Sequence, residues 1–252
     1  MRLKDRVAIV TGGGYGIGGA YSLGLAEEGA KVVLADINFE AAKAVAKEIE
    51  QKGGEALPLR TDVTSLESTQ EMADKTVKKF GKIDILVNNA SLFAALGTKQ
   101  WDKIDVDEWD RVMAVNLRGM WLCSKAVVPH MKAQGKGRII NISSGRAYKG
   151  GAGNLHYVTS KAGVLGFTRG LACALAGTGI NVNTIAPGST LSEGVLARGV
   201  TPEARAKRNL ERCVQKEQYP KDLVGTLIFL SSDESEFICG ETIVVDGGTV
   251  FV

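Results

Sequence analysis

Val7-Ala8-Ile9-Val10 runs directly into Thr11-Gly12-Gly13-Gly14-Tyr15-Gly16-Ile17-Gly18, and the reading of this junction decides the fold. The first four residues are apolar and mostly β-branched, the make-up of a strand buried on both faces. The glycines allow a tight turn and a close approach of backbone N–H groups to a pyrophosphate at a helix N-terminus. A helix follows to about Gly29, then a strand over Lys31–Ala35 that ends at Asp36. Strand, glycine turn, helix, strand and terminal acid make a βαβ unit suited to a dinucleotide. Asp36 can accept hydrogen bonds from the adenosine ribose; capping the next helix is the competing job for a carboxylate there.

Outward from this unit the alternation persists. Helices are expected over Phe39–Lys52, Leu66–Phe80, a long stretch from Asp107 to Gln134, a segment through Tyr157 to about Ala176, and Lys221–Ser231. Strands are expected at Leu57–Arg60 leading into Asp62-Val63, and at Ile83–Val87, Arg138–Ile142, Ile180–Ile185 and Thr242–Val245. Strands regularly separated by helices predict a parallel sheet with helices on both faces. No repeat or linker divides the chain, so residues 1–252 read as one α/β domain. Two connections break the rhythm, Ser91 to Asp105 and Ser189 to about Gln218. Both follow strand C-termini, where ligands bind in open α/β sheets, and both are long enough to be binding loops.

Tyr157 and Lys161 lie four residues apart, on one face of their helix. An ammonium beside a phenol favours the phenolate, which predicts a Tyr157 able to give and take a proton near neutral pH. Alone, the same spacing also suits an exposed, structural pair.

Taken in order, Thr11-Gly12-x3-Gly16-Ile17-Gly18, Asn88-Asn89-Ala90, Asn116, Ser144, Tyr157-x3-Lys161 and Pro187-Gly188 make the chain resemble the short-chain dehydrogenase/reductase family. The resemblance spans nearly the whole chain. It implies a Rossmann-type, doubly wound, seven-stranded parallel sheet and hydride transfer between a nicotinamide and an alcohol/carbonyl pair. It implies Tyr157 as acid/base, Lys161 as the group that lowers its pKa and holds the nicotinamide ribose, Ser144 as the group orienting the substrate oxygen, and Asn116 as support for a proton-relay water. Ser143 is the rival of Ser144; a capping asparagine is the rival reading of Asn116, and a loop serine that of Ser144. Cofactor contacts are implied at Gly12, Tyr15, Gly16, Ile17, Gly18, Asp36, Asp62, Val63, Asn89, Ala90, Tyr157, Lys161, Pro187, Gly188, Thr190 and Ser192. Asp62 has a helix N-cap as its competing role, Thr190 competes with Ser192, and Asn88 is backbone support. Ser91 stands where the family has glycine, which puts the local loop conformation in question.

Asp36 would repel a 2′-phosphate. Tyr15 and Ile37 occupy the places where NADP-users of this family carry cations, so NAD is the expected cofactor, preferred over NADP. The substrate is expected to be a small secondary alcohol or ketone, aromatic or cyclic by similarity to some family members. Leu92, Phe93, Arg146, Tyr148, Leu155, His156, Ser189 and Val195 offer an apolar pocket with few polar groups. Arg146 could meet a carboxylate or stay solvated, and His156 suits a supporting role. Reduction of 3-oxoacyl carrier-protein thioesters is the alternative activity. A catalytically silent dinucleotide scaffold is the third reading, disfavoured by the presence of Asn116, Ser144, Tyr157 and Lys161 together.

The composition bounds the rest. A net charge of +3, with no basic block, argues against nucleic acid. No apolar run is long enough to span a membrane, and the first residues pass straight into a strand without a signal peptide. The four cysteines are widely spaced, which predicts buried free thiols in a reducing cytoplasm and no metal site. The apolar tail Val250-Phe251-Val252 and the family habit predict a homotetramer that buries the tail.

Overall fold

The computed structural model describes residues 1–93 and 96–252; Ala94 and Ala95, inside the connection expected from Ser91 to Asp105, lie outside the described residues. Seven strands form a single parallel sheet: β1 (Val7–Thr11), β2 (Lys31–Asp36), β3 (Ala56–Arg60), β4 (Ile85–Asn88), β5 (Gly137–Ile142), β6 (Ile180–Pro187) and β7 (Thr242–Val245). Their spatial order is β3-β2-β1-β4-β5-β6-β7. The direction of winding reverses between β1 and β4, which opens a crevice at their C-terminal ends.

The helices are α1 (Gly16–Glu27), α2 (Phe39–Gln51), α3 (Leu66–Phe80), α4 (Val106–Met113), α5 (Gly119–Gln134), α6 (Arg146–Lys149), α7 (Leu155–Ala174), α8 (Glu193–Leu196), α9 (Pro202–Leu210) and α10 (Lys221–Ser231). Alternate strand residues feed two cores. Ala8, Val10, Val32 and Leu34 pack against α1, α2 and α10. Ile9, Val33, Leu86 and Ile139 pack against α3, α5 and the end of α7. Burying each such aliphatic side chain contributes about 1.5–3 kcal/mol, so β1, buried at every residue, anchors both layers.

Four expectations need correction. The long helix from Asp107 to Gln134 is not uniform: a π-helical turn, Ala114–Arg118, separates α4 from α5 and contains the buried Asn116. Such single-turn widenings recur at functional sites because they re-aim a side chain. The fourth strand starts at Ile85, not Ile83, because the Asp84 carboxylate turns back to accept the Val7 N–H at 2.7 Å. The stretch from Ser189 to Gln218 is no open loop; it holds α8 and α9 and closes on itself through a Thr190–Gln218 bridge. Of the cysteines only Cys123 is buried; Cys173, Cys213 and Cys239 are exposed. Ser91 does not adopt a left-handed backbone, so replacing the glycine strains nothing there.

Candidate active site

The glycine turn is shaped by what surrounds it. Gly12 and Gly16 sit at φ +62° and +57°, a region that L side chains avoid. A Cβ on Gly14 would approach the Ala42 nitrogen to 2.6 Å, and one on Gly18 would collide with the Gly12 carbonyl and lie 2.6 Å from Asn89 Nδ2. Asn89 Nδ2 donates to the Thr11 and Gly12 carbonyls at 3.0 and 3.1 Å, and the Thr11 hydroxyl accepts the N–H groups of Asn89 and Ala90. Asp36 accepts the Gly14 N–H at 3.0 Å and the Asn38 N–H at 2.9 Å, so its carboxylate is buried at the turn it stabilises. It does not cap α2: Asn38 does, accepting the Ala41 N–H.

Tyr15 occupies the N-cap of α1 without a side-chain hydrogen bond, and the first turn holds no acid. The first N–H groups of α1 therefore have no side-chain acceptor and face outward with the positive end of the helix dipole, which suits an anion. These donors, the Cβ-free cradle and the placement of Asp36 fit a dinucleotide. Nearby, Thr11, Val63, Ala90, Val115 and Gly119 lie together over Cys123. Asp62 is exposed and holds its own turn, accepting the Thr64 N–H and hydroxyl; Ser65, not Asp62, caps α3. Across the crevice, Ser192 lies against Gly16, whose added Cβ would be 3.4 Å from the Ser192 Cβ. The buried Thr190 hydroxyl donates to the Gly188 carbonyl at 3.2 Å, and Gly188 N–H is held by the Val245 carbonyl.

The four residues expected to do chemistry come from three elements. Tyr157, on α7, is buried, and the Ser144 side chain, beyond β5, is close enough to its hydroxyl to favour the phenolate. Burial pushes its phenol above the ordinary value, while Ser144 and the Arg146 charge pull it back. Lys161, one turn along α7, donates to the Ile142 carbonyl at 2.8 Å, and its Nζ sits 5.9 Å from the Tyr157 ring centre. Burial lowers its pKa from 10.5 to about 7. Ser144 and the Arg146 charge favour the Tyr157 phenolate, while Lys161 beside it is itself desolvated. Ser143, the rival serine, is turned away, donating to the Lys161 carbonyl at 2.7 Å.

Asn116 is fully buried in the π-helical turn. Its Oδ1 accepts the Leu92 N–H at 2.7 Å, and its Nδ2 donates to Ser160 Oγ at 3.0 Å. It therefore joins the segment after β4 to α7, a job no capping asparagine does. Asn88 continues the stitching: Nδ2 donates to Ser124 and to Asn141 Oδ1, Asn141 donates to Thr168 on α7, and Thr168 shares a hydrogen bond with Thr184 of β6.

On the substrate side, Phe93 lies 4.6 Å, centre to centre, from the Tyr157 ring, and Leu92, Leu96 and Val112 complete that wall. Arg146 and Tyr148 sit half-buried on α6, and Ser189 is exposed after β6. His156 is fully buried, with Nε2 3.0 Å from Glu108 Oε1 and its ring stacked on Trp109. Lys99 bonds the other Glu108 oxygen at 2.7 Å and holds that carboxyl below its usual range, with His156 adding to the effect. Lys99 also exchanges two hydrogen bonds with Asn154, so the first connection is tied to the start of α7.

Residues not anticipated from the sequence hold the second connection. Arg212 donates to the carbonyls of Ser189 and Lys216, and Gln218 Nε2 donates to the Val245 carbonyl at 2.7 Å. With Arg205 and Arg208 they line an open cleft of about 200 Å³ behind Ser189. The 205, 208, 212 spacing, close to a helical repeat, was the available signal. No group of metal-ligating residues is present among the described residues, and no described helix is long and apolar enough to cross a membrane.

Comparison with known proteins gives consistent matches. The short chain dehydrogenase family profile matches residues 6–199. The chain is 37% identical over 251 residues to a 3-oxoacyl-[acyl-carrier-protein] reductase of Thermotoga maritima, covering 99% of this chain and 100% of the relative. It is 38% identical over 244 residues to the cis-4-hydroxycyclohexanecarboxylate dehydrogenase of Sinomonas cyclohexanicum, covering 97% and 96%. A solved 7α-hydroxysteroid dehydrogenase, complexed with NADH and 7-oxo glycochenodeoxycholic acid, superposes with a TM-score of 0.93 at 35% identity, covering 99% and 96% of the two chains.

Proposed function

The chain belongs to the short-chain dehydrogenase/reductase family, and on that premise we propose that this oxidoreductase is NAD-dependent and interconverts a small secondary alcohol and its ketone. The observation that carries the reading is the buried Tyr157 on the helix whose Lys161 is fixed to the Ile142 carbonyl and whose Ser160 is held by Asn116. Residues 1–252 serve as one dinucleotide-binding and catalytic unit.

Bound nicotinamide supplies the hydride chemistry. The chain supplies the rest. Gly12, Tyr15, Gly16, Ile17 and Gly18 would cradle the pyrophosphate, Asp36 the adenosine ribose, and Asp62, Val63, Asn89 and Ala90 the adenine side. Pro187, Gly188, Thr190 and Ser192 would hold the opposite end. Tyr157 donates a proton to the carbonyl oxygen in reduction and removes it in oxidation, within hydrogen-bond reach of Ser144, which orients that oxygen. Burial keeps the phenol protonated, which suits the donor role. Lys161, fixed by the Ile142 carbonyl, would hold the nicotinamide ribose. Asn116 fixes the turn that places Leu92 in the pocket wall.

NAD preference rests on Asp36: a 2′-phosphate would meet its carboxylate, with exposed Tyr15 and Ile37 in place of any offsetting cation. Similarity to the cis-4-hydroxycyclohexanecarboxylate dehydrogenase supports a cyclic alcohol. Similarity to a carrier-protein reductase over the full chain keeps the 3-oxoacyl thioester as the second reading. A cytoplasmic homotetramer is the proposed setting; Phe251 is 82% exposed and Phe237 fully exposed in the single chain, apolar surface for a second copy to cover. The test is incubation with NAD or NADP and a panel of secondary alcohols, with acetoacetyl thioester and reduced cofactor in the reverse direction, following absorbance of the reduced nicotinamide. NAD-linked alcohol oxidation is expected; turnover of the thioester alone, with NADPH, would select the second reading.

A further inference from the structure

Arg146 opens α6 two residues after Ser144, and its backbone N–H donates to Ser144 Oγ at 3.2 Å. Its guanidinium folds over Gly151, where an added Cβ would lie 2.8 Å from Nη2. It is half withdrawn from water, and no acceptor meets its guanidinium among the described residues. Other withdrawn arginines are all engaged: Arg6 with Asp84 and Asp233, Arg138 with Asn181 and Asp233, Arg205 with Glu217, Arg208 with Ser189, and Arg212 with two carbonyls. An unpaired surface arginine is ordinary. An unpaired, partly desolvated guanidinium beside a reacting hydroxyl is costly, and it persists where a ligand completes it.

Arg198, an exposed residue after α8, brings a second cation to Phe93. The Arg198 guanidinium lies 5.0 Å above the Phe93 ring, and Phe93 packs against Tyr157 with ring centres 4.6 Å apart. Arg198 has no carboxylate partner among the described residues. The wall against Tyr157 is apolar: Leu92, Phe93, Leu96 and Val112. The Arg146 charge is felt at the Tyr157 hydroxyl, which it helps to acidify. An apolar body, a hydroxyl near Ser144 and Tyr157, and a planar anion against a guanidinium fork describe one kind of molecule.

We propose that Arg146 is an anion-recognition residue that makes this pocket select an alcohol or ketone bearing a carboxylate. The proposal rests on the reading of Tyr157 as the acid/base. It places Arg146 as a specificity-determining residue, distinct from the groups that move the proton.

The test has a binding arm and a turnover arm, both on the full chain. Benzoate and its neutral counterpart benzamide are titrated by calorimetry. Benzoate is expected to bind about tenfold or more tightly, the range of one charge-assisted hydrogen bond. Arg146→Gln should bring the two ligands within about twofold, Arg146→Lys should restore part of the preference, and added salt should weaken benzoate alone. In the turnover arm, 4-hydroxycyclohexanecarboxylate is compared with its methyl ester. The acid-to-ester ratio of kcat/KM should fall in Arg146→Gln, mainly through KM. A benzoate preference that survives Arg146→Gln, or is absent from the wild type, overturns the proposal. If neither acid nor ester is oxidised with either cofactor, the alcohol-dehydrogenase reading fails, while the benzoate titration still decides Arg146.

Discussion

Where the chain would hold a dinucleotide, position is set by backbone: Gly12, Gly14 and Gly18 fit because neighbouring main chain leaves no room for a Cβ, and Asp36 bonds two N–H groups of its own turns. Where it would hold a substrate, position is set by side chains that meet from separate segments. Phe93, from beyond β4, packs on Tyr157; Arg198, from beyond β6, lies over Phe93; and Arg146 comes from beyond β5, bonded to Ser144. The first region is short-range and constrains residue identity tightly. The second is long-range, and many residue sets could fill it. One scaffold can therefore keep its cofactor chemistry while changing what it acts on.

The sharpest way to separate the two regions is Tyr157→Phe. Losing the hydroxyl should cut kcat by 10²- to 10⁴-fold, the typical contribution of general acid–base catalysis. NAD binding, measured by fluorescence titration, should change little, because the pyrophosphate cradle and Asp36 are untouched. A variant keeping more than about a tenth of the wild-type rate would show that another group moves the proton.

The complementary change is Asp36→Ala, on the backbone-defined side. Wild type is expected to prefer NAD over NADP by roughly 100-fold in kcat/KM, equivalent to about 3 kcal/mol from lost ribose hydrogen bonds and a like-charge contact. The variant should narrow that gap, mostly through a raised KM for NAD. It should also lose stability, since the Gly14 and Asn38 N–H groups lose their acceptor. The KM for the alcohol should stay near its wild-type value. Equal efficiency with both cofactors in the wild type would show that Asp36 serves its turn and does not read the ribose.

The same contrast explains what was legible beforehand. The βαβ unit and the seven strands follow from periodicity and glycine placement, all local signals, whereas Tyr157 with Lys161 stood out only through the ordered set of family motifs. The π-helical turn at Asn116 was not legible, because a one-residue widening leaves helical periodicity almost intact. Nor was the order in α8 and α9: those helices are short, and their segment is pinned by Arg212 and Gln218, whose carbonyl partners lie elsewhere in the fold. The dryness of Lys161 was not legible for the same reason. Spacing places an ammonium on the right face, but only the packing around α7 says how dry that ammonium is.

Lys161 stands where the two regions meet, and its desolvation gives the smallest and most specific of these effects. Burial moves its pKa from 10.5 to about 7. Between those two pH values the unfolded chain keeps the proton and the folded chain releases it, so stability should rise as pH rises through that window. Below pH 7 both states are protonated, and the cost of burying the ammonium is fully present. Tyr157 acts oppositely above its ordinary value of 10.0: the folded chain keeps a proton that the unfolded chain loses, and stability falls again. Lys161→Met removes the first slope while keeping an unbranched, apolar stem of similar length. Without added cofactor, the variant should melt higher than wild type at pH 6, by about 2 kcal/mol or roughly 5 °C, and the advantage should shrink by pH 10. Activity should be lost at every pH. Thermal melts at pH 6, 8 and 10 read the difference directly. A variant that melts lower at pH 6 would mean that the hydrogen bond to the Ile142 carbonyl outweighs the desolvation, and that the lysine belongs to the scaffold as much as to the chemistry.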